Sequence, residues 1–349
     1  MAIRVLVVDD SAFMRKLISE ILNEQPDIEV VSTARNGLDA LKKLERFEVD
    51  VVTLDLEMPV LDGVATIERI MATNPLPILV ISNWAERSFE ATINALSKGA
   101  VDFIAKPSGT ISLDLRKIGT ELVEKVRSLA GVVVSKPVAR AAIPKSGVIR
   151  PRQRTKARAE VSDVVVVVGS STGGPRALEE LFVRLPSTIG AGLLVVQHMP
   201  KNFTRSLAMR LDALSDLEVR EAQDGDTIRN GLALVAPGDY HLLIDHNKQV
   251  RLNQSPPVKY LRPSIDVTML SLIDIFQDQV VGVILTGMGN DGAEGMAAIK
   301  HAGGYTIIQD EATSTIFSMP KAVFEQGNAD YVLPIDKVAN VITTLVSQF

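Results

Sequence analysis

The stretch that most constrains this chain is Asp163 to Pro175, which runs DVVVVVGSSTGGP. Five consecutive valines, Val164 to Val168, carry too many β-branched side chains for a comfortable helix and predict a strand buried on both faces. The run breaks at Gly169-Ser170-Ser171-Thr172-Gly173-Gly174, and a helical pattern begins near Arg176. Small residues at a strand-to-helix turn let the backbone bend sharply and leave N–H groups pointing outward. Such a turn suits a phosphate cradle or an elbow presenting a serine nucleophile. The spacing Gly169-x-Ser171-x-Gly173 matches the elbow, whereas the phosphate loop is unmatched because no lysine follows the glycines. The spacing alone leaves open the nucleophile, a ligand loop and a plain tight turn, and it leaves Ser170 as a competitor for Ser171.

A length of 349 residues predicts two domains, each able to bury its own core. Apolar runs are short, none approaching the roughly 18 residues of a membrane helix, so the chain is not expected to be an integral membrane protein. The start, MAIRVLVVDD, enters a strand without a cleavage pattern, which predicts no signal peptide and a cytoplasmic location. The chain has no cysteine, which excludes disulfides, thiolate metal ligands and thiol nucleophiles. A net charge of −5 argues against a nucleic-acid partner. The basic charge is concentrated: Ser135 to Arg158 holds eight lysines and arginines, no acid, and the interruptions Pro137, Pro144, Gly147 and Pro151. It has no helical or strand period and predicts a solvated basic linker, 131–160, between domains at 1–130 and 161–349.

The first half alternates strand and helix five times, with strands expected at Val5–Val8, Val30–Thr33, Val51–Leu54, Ile78–Ile81 and Val101–Ile104. This pattern predicts an α/β fold, an open, doubly wound parallel sheet whose chemistry collects at the C-terminal strand ends. Asp9 and Asp10 follow the first strand and Asp55 the third. Taken singly, Asp10 could be no more than a helix cap. Three converging carboxylates repel one another unless a cation sits among them, and Mg²⁺ is a hard cation that accepts carboxylate and phosphoryl oxygens. Ser82 ends the fourth strand and Lys106 the fifth, adding a hydroxyl and a fixed positive charge. The set is suited to phosphoryl transfer onto a carboxylate.

The segments VLVVDDSAFMR, LDLEMPVLDG, ISNW and DFIAKP resemble the receiver domain of two-component response regulators over residues 3 to 125. The resemblance implies a flavodoxin-like fold, phosphorylation of Asp55 by a chemotaxis histidine kinase, and Mg²⁺ held by Asp9, Asp10, Asp55 and the backbone carbonyl of Glu57. It also implies that Ser82 and Lys106 sense the phosphoryl group, and that Phe103 stands at the switch aromatic, a position an ordinary core residue would fill equally well.

After the linker the alternation resumes, with strands expected at Val164–Val168, Leu193–Val196, Leu232–Val235, Val280–Leu285, Thr306–Ile308 and Tyr331–Leu333. A hairpin from His241–Ile244 to Val250–Leu252 interrupts them. A serine hydroxyl is inert at neutral pH without a base. Of the four histidines, His241, His246 and His301 are expected at the surface, while His198 follows a buried strand where Met199-Pro200 breaks the chain. Asp291 lies in the glycine-rich turn TGMGNDG after the strand ending at Leu285; it suits an imidazole-orienting carboxylate, or merely a cap for the helix starting near Gly292. Ser171, His198 and Asp291 at three strand ends satisfy the roles of a triad, in an order unlike that of α/β-hydrolases.

The segments GSSTGGP, VVQHMPKNFT, VAPGDYH, YLRPSIDV, VILTGMGNDG and QDEATSTIFSMPKAV resemble the catalytic domain of chemotaxis protein-glutamate methylesterases over about 163 to 333. The resemblance implies a Rossmann-like hydrolase that cleaves glutamate γ-methyl esters on methyl-accepting chemoreceptors, is activated by phosphorylation, and also deamidates receptor glutamines. The oxyanion would be held near Thr172 and Gly173 with a contribution from the Met288 loop, and no metal or other cofactor is expected in this domain. A phosphorylation-controlled binding module with a nucleotide at GSSTGG is the rival; a DNA-binding regulator is disfavoured because the second domain shows no basic recognition helix.

Overall fold

The protein is described here by a computed structural model covering residues 2–83, 86–106, 111–134 and 160–349. It divides into two compact units, Met1–Lys145 and Ser146–Phe349. The basic stretch expected as a linker lies, from 135 to 159, outside the described residues.

The first unit runs β1 (Ile3–Val8), α1 (Ala12–Asn23), β2 (Ile28–Ala34), α2 (Gly37–Leu44), β3 (Val51–Asp55), α3 (Gly63–Thr73), β4 (Ile78–Ser82), α4 (Glu86–Lys98), β5 (Asp102–Ala105) and α5 (Ile111–Leu129). All pairings are parallel, in the order β2-β1-β3-β4-β5. β3 and β4 are buried at every position, which is why they read as unbroken apolar runs. The direction of winding reverses between β1 and β3, so Asp9, Asp10 and Asp55 lie at the topological switch point. Asp10 is not the cap of α1: Ser11 is, its hydroxyl accepting from Met14 N–H at 3.4 Å.

The second unit runs β6 (Val165–Ser170), α6 (Gly174–Phe182), β7 (Gly192–Gln197), α7 (Phe203–Leu214), β8 (Glu218–Glu221), β9 (Leu232–Val235), β10 (His241–Ile244), β11 (Val250–Asn253), α8 (Ile265–Phe276), β12 (Val280–Ile284), α9 (Ala293–His301), β13 (Tyr305–Gln309), α10 (Ser318–Glu325), β14 (Tyr331–Leu333) and α11 (Ile335–Val346). Seven parallel strands lie in the order β14-β13-β12-β6-β7-β9-β8, and β10 and β11 form a separate antiparallel hairpin. The valine run becomes central strand β6, every residue of it buried. Alternate residues Val165 and Val167 join the apolar core that includes Ile265, Met269 and Leu272 of α8 and Met296 and Ile299 of α9. Winding reverses between β6 and β12, placing the turns after β6, β7 and β12 side by side.

Two expectations are corrected. The edge strand β8 was not anticipated, because three of its four residues, Glu218, Arg220 and Glu221, are charged and only Val219 is buried. His241 is not a surface residue: it is 1 % exposed, with its Nδ1 accepting from Ser264 N–H at 3.3 Å and its Nε2 lying 3.3 Å from Pro256 O. An inward-facing position on a short strand looks the same in sequence as an outward-facing one when its neighbours Leu242 and Leu243 are both apolar.

Gly169 occupies a point of close approach, where a Cβ would lie 2.6 Å from Cγ2 of Ile265, the first residue of α8. Gly169→Ala is expected to lower stability by roughly 1–3 kcal/mol by displacing that helix end. Urea unfolding beside the parent protein measures this; an unchanged midpoint would show that Ile265 yields without cost.

Candidate active site and acidic pocket

In the second unit the sheet ladder continues past the strand ends and fixes the candidate residues. His198 N–H donates to Ser170 O at 3.1 Å, and Ser171 N–H donates to Thr286 O at 3.1 Å. The Gln197 amide spans the gap, its Nε2 donating to Ser171 O at 2.9 Å and to His198 O at 3.1 Å. Its Oε1 accepts the Ser170 hydroxyl at 2.6 Å. Ser170 is therefore fully buried with its hydroxyl engaged, whereas Ser171 is partly exposed. This distinguishes two serines that sequence spacing left in competition. Gly174 leaves room for the amide, since a Cβ there would fall 2.0 Å from Gln197 Oε1.

His198 Nε2 lies 2.8 Å from Asp291 Oδ2, and His198 Nδ1 is buried with no hydrogen-bond partner. A carboxylate at Nε2 fixes the proton there and leaves the Nδ1 lone pair as the basic site. Asp291 does not cap α9, whose preceding Gly292 provides no side-chain cap. It instead sits at the N-terminus of α8, accepting from Ile265 N–H at 2.6 Å, Asp266 N–H at 3.1 Å and the Ser264 hydroxyl at 2.9 Å. Burial alone would push its carboxyl upward, but the bond and charge of His198 and the two α8 N–H groups outweigh this and hold it well below the usual carboxylate range. Asp266 in turn accepts from Gly295 N–H in the first turn of α9 at 2.9 Å. The two helices thus cap one another with opposite carboxylates.

Thr172 and Gly173 form the turn between β6 and α6. Gly173 has φ +78 and stands at the start of α6 without a side-chain cap, so the N–H groups of that helix end face the turn. The Thr286 hydroxyl donates to Thr172 O at 3.0 Å, binding this turn to the one after β12. Met288 follows Gly287, where a Cβ would lie 2.9 Å from Ser171 Cβ, so the two turns are in direct apposition. Gln197, Ser264 and Thr286 were not singled out from sequence. Ser264 had a signal, an N-cap type opening the helix of YLRPSIDV; Gln197 and Thr286 had none, since their roles exist only across strands.

In the first unit, Asp9, Asp10 and Asp55 present oxygens within 4.8 Å of one another. Lys106 Nζ lies 2.7 Å from Asp55 Oδ2 and 2.9 Å from Asp9 Oδ2. Burial raises the Asp55 carboxyl, Lys106 opposes the rise, and the charge of Asp9 adds to it; the net direction is upward. Lys106 is held cationic by Asp55 and Asp9 against its own burial. Ser82 is buried and its hydroxyl accepts from Thr92 Oγ1 at 2.7 Å. The Glu57 carboxylate is bound by Ser88 Oγ at 2.7 Å and Asn83 Nδ2 at 3.2 Å, so any part in the cluster falls to its main chain. Three carboxylates with one short cation, and a buried Asp9 Oδ2 that accepts no hydrogen bond beyond that ion pair, fit a small divalent ion. Phe103 is buried, with Lys125 Nζ lying 5.7 Å from its ring centroid.

The depressed Asp291 titration gives a pH signature. A carboxylate lowered on folding contributes stability that is present above its unfolded pKa of about 3.9 and lost as pH falls through the folded value. Asp291→Asn is expected to cost roughly 3–5 kcal/mol at pH ~7, with the gap to the parent narrowing only below pH ~4. Urea titrations across this range test it; a gap that is constant with pH would mean that the charge contributes nothing.

The description CheB methylesterase matches residues 166–342, and that of the response regulator receiver domain matches residues 5–116. A protein-glutamate methylesterase/protein-glutamine glutaminase of Symbiobacterium thermophilum is 49% identical over 356 residues, covering 99% of this chain and 98% of the relative. A protein of the same description from Geobacillus kaustophilus is 44% identical and covers 99% of each chain. The crystal structure of the Thermotoga maritima CheB methylesterase catalytic domain aligns over 53% of this chain and 100% of its own length, with 45% identity and a TM-score of 0.52. The chain therefore belongs to the family of protein-glutamate methylesterases/protein-glutamine glutaminases, with a receiver domain ahead of a CheB methylesterase domain.

Proposed function

We propose that this protein hydrolyses glutamate γ-methyl esters on methyl-accepting chemoreceptors, deamidates receptor glutamines by the same path, and is activated by phosphorylation of Asp55 from a chemotaxis histidine kinase. The observation that carries the reading is the His198–Asp291 pair at 2.8 Å, with Nδ1 buried and unpartnered at a strand end beside that of Ser171. Ser171 Oγ attacks the γ-carbonyl carbon while His198 Nδ1 accepts its proton. Asp291 orients the ring and offsets the imidazolium charge. N–H groups at Thr172 and Gly173, with the Met288 loop, hold the oxyanion as it forms. Collapse breaks the ester bond, and the imidazolium proton leaves on methanol, or on ammonia from an amide. Water, deprotonated by His198, then releases the acyl group as glutamate. The receiver spans 1–130 and the esterase 161–349 in this reading.

In the receiver, Asp9, Asp10, Asp55 and the carbonyl of Glu57 would hold Mg²⁺, which when bound screens the charge of an incoming phosphoryl group. Asp55 supplies the accepting oxygen. Lys106 already contacts the Asp55 oxygen and pairs with the phosphoryl group, and the Ser82 hydroxyl reorients from Thr92 toward it. Among the described residues no helix is long and apolar enough to cross a membrane, so the receptor is met from outside the bilayer in this scheme.

Methanol release from methylated chemoreceptor membranes, with and without a phosphodonor, tests both parts. Ser171→Ala should abolish turnover, by up to about 10⁶ in rate by analogy with loss of a triad nucleophile. Ser170→Ala should retain it within about tenfold, because that hydroxyl only binds Gln197; the reverse pattern would transfer the nucleophile to Ser170. Asp55→Asn should keep basal turnover and lose stimulation. Full stimulation of the Asp55 variant would place the regulatory phosphate elsewhere.

A further inference from the structure

The turn that leads into α8 holds two non-glycine residues in the left-handed region. Lys259 has φ +50 and Tyr260 φ +66, while Val258 and Leu261 exchange N–H to O bonds of 3.1 and 2.8 Å across them. Such backbone is disfavoured for side chains with a Cβ and persists only where the surroundings enforce it. Here the reciprocal bonds of the turn hold it, and they present Lys259, whose Nζ lies 3.0 Å from Asp266 Oδ2 and 3.1 Å from Glu294 Oε1. The Asp266 side chain is only 4% exposed.

Asp266 is one of the two carboxylates in the reciprocal cap, and the other is Asp291, the partner of His198. Two negative charges in one buried cap repel, and Asp291 adds to the upward push that burial exerts on Asp266. The Gly295 N–H and Lys259 oppose that push, and the net direction for the Asp266 carboxyl is upward. The charged and titratable groups facing the cluster are Lys259 from the turn, Glu294 from α9, Asp291 and His198 themselves, and His241 from β10, which accepts the Ser264 N–H. Lys259 is thus the cation on Asp266, and its removal leaves an uncompensated carboxylate beside the Asp291–His198 pair.

We propose that Lys259 is a positioning residue for the ester hydrolysis: by neutralising Asp266 it sets the pH at which His198 becomes a free base. The proposal rests on the assignment of His198 as the base. An extra negative charge nearby stabilises the imidazolium, so loss of Lys259 moves the acid limb of the pH–rate profile upward.

The test uses the full-length protein with Lys259→Met, Lys259→Arg and the double variant Lys259→Met/Asp266→Asn. Two quantities are followed against pH: methanol release, and the ring-nitrogen NMR titration of His198, identified by its absence in His198→Gln. Lys259→Met should raise both the acid limb and the His198 titration by about 0.5–1 pH unit, as expected for a charge some angstroms away in a partly screened site. Near the parent midpoint this lowers the rate by about twofold to fivefold, with the high-pH plateau little changed. Lys259→Arg should match the parent, and the double variant should return toward it. An unshifted His198 titration in folded Lys259→Met, or a shift that the double variant fails to reverse, overturns the proposal. Absence of methanol release from the parent protein would instead overturn the esterase reading, and it leaves the His198 titration as an independent readout of the charge balance.

Discussion

The second unit is organised around one buried carboxylate. Asp291 lies in the turn after β12, yet its oxygens are bound by the first N–H groups of α8, by a hydroxyl at that helix end and by an imidazole from the turn after β7. A buried anion with fewer donors would be expelled or protonated. With four donors it becomes the point where three separate chain segments must agree in position. The closeness of α8 to β6, enforced where Gly169 meets Ile265, is therefore a requirement of the site as well as of the core.

The two units solve the same geometrical problem with different chemistry. Each is a parallel sheet whose winding reverses once, and each puts its polar side chains where the reversal opens a crevice. In the first unit the crevice holds carboxylates that each accept a single main-chain N–H, at Asp9 and Asp55, and are answered by one lysine, an arrangement suited to a cation. In the second the carboxylate is saturated by donors, so its charge acts on a histidine. The amount of hydrogen bonding around the acid separates the two chemistries, and the fold class does not.

Much of this was legible in the residues. β6 could be read because five valines tolerate no other placement, and the positions of Asp9, Asp55 and Lys106 followed from strand ends. His198 stood out by the same logic. The illegible part consists of relations across strands. Nothing local says that Ser170 spends its hydroxyl on Gln197, that His241 faces inward, or that Asp291 caps the helix before it in sequence and not the one after. The strand β8 escaped because an edge strand buries one face at most, so its charges mask its period.

The orientation of the His198 ring has a mechanical consequence. In the serine-protease arrangement the base is Nε2, the outer nitrogen, and the carboxylate holds the inner one. Here the carboxylate holds Nε2 and the inner Nδ1 is left for the proton. Nδ1 is bonded directly to the ring carbon that joins the side chain, so swinging of the side chain about the Cα–Cβ bond carries it through a smaller arc than the far edge of the ring. The outer edge, which would swing most, is moored to a helix end. In the proposed mechanism the aim of the proton acceptor thus depends on the main chain leaving β7 as well as on the mooring of the ring at Asp291.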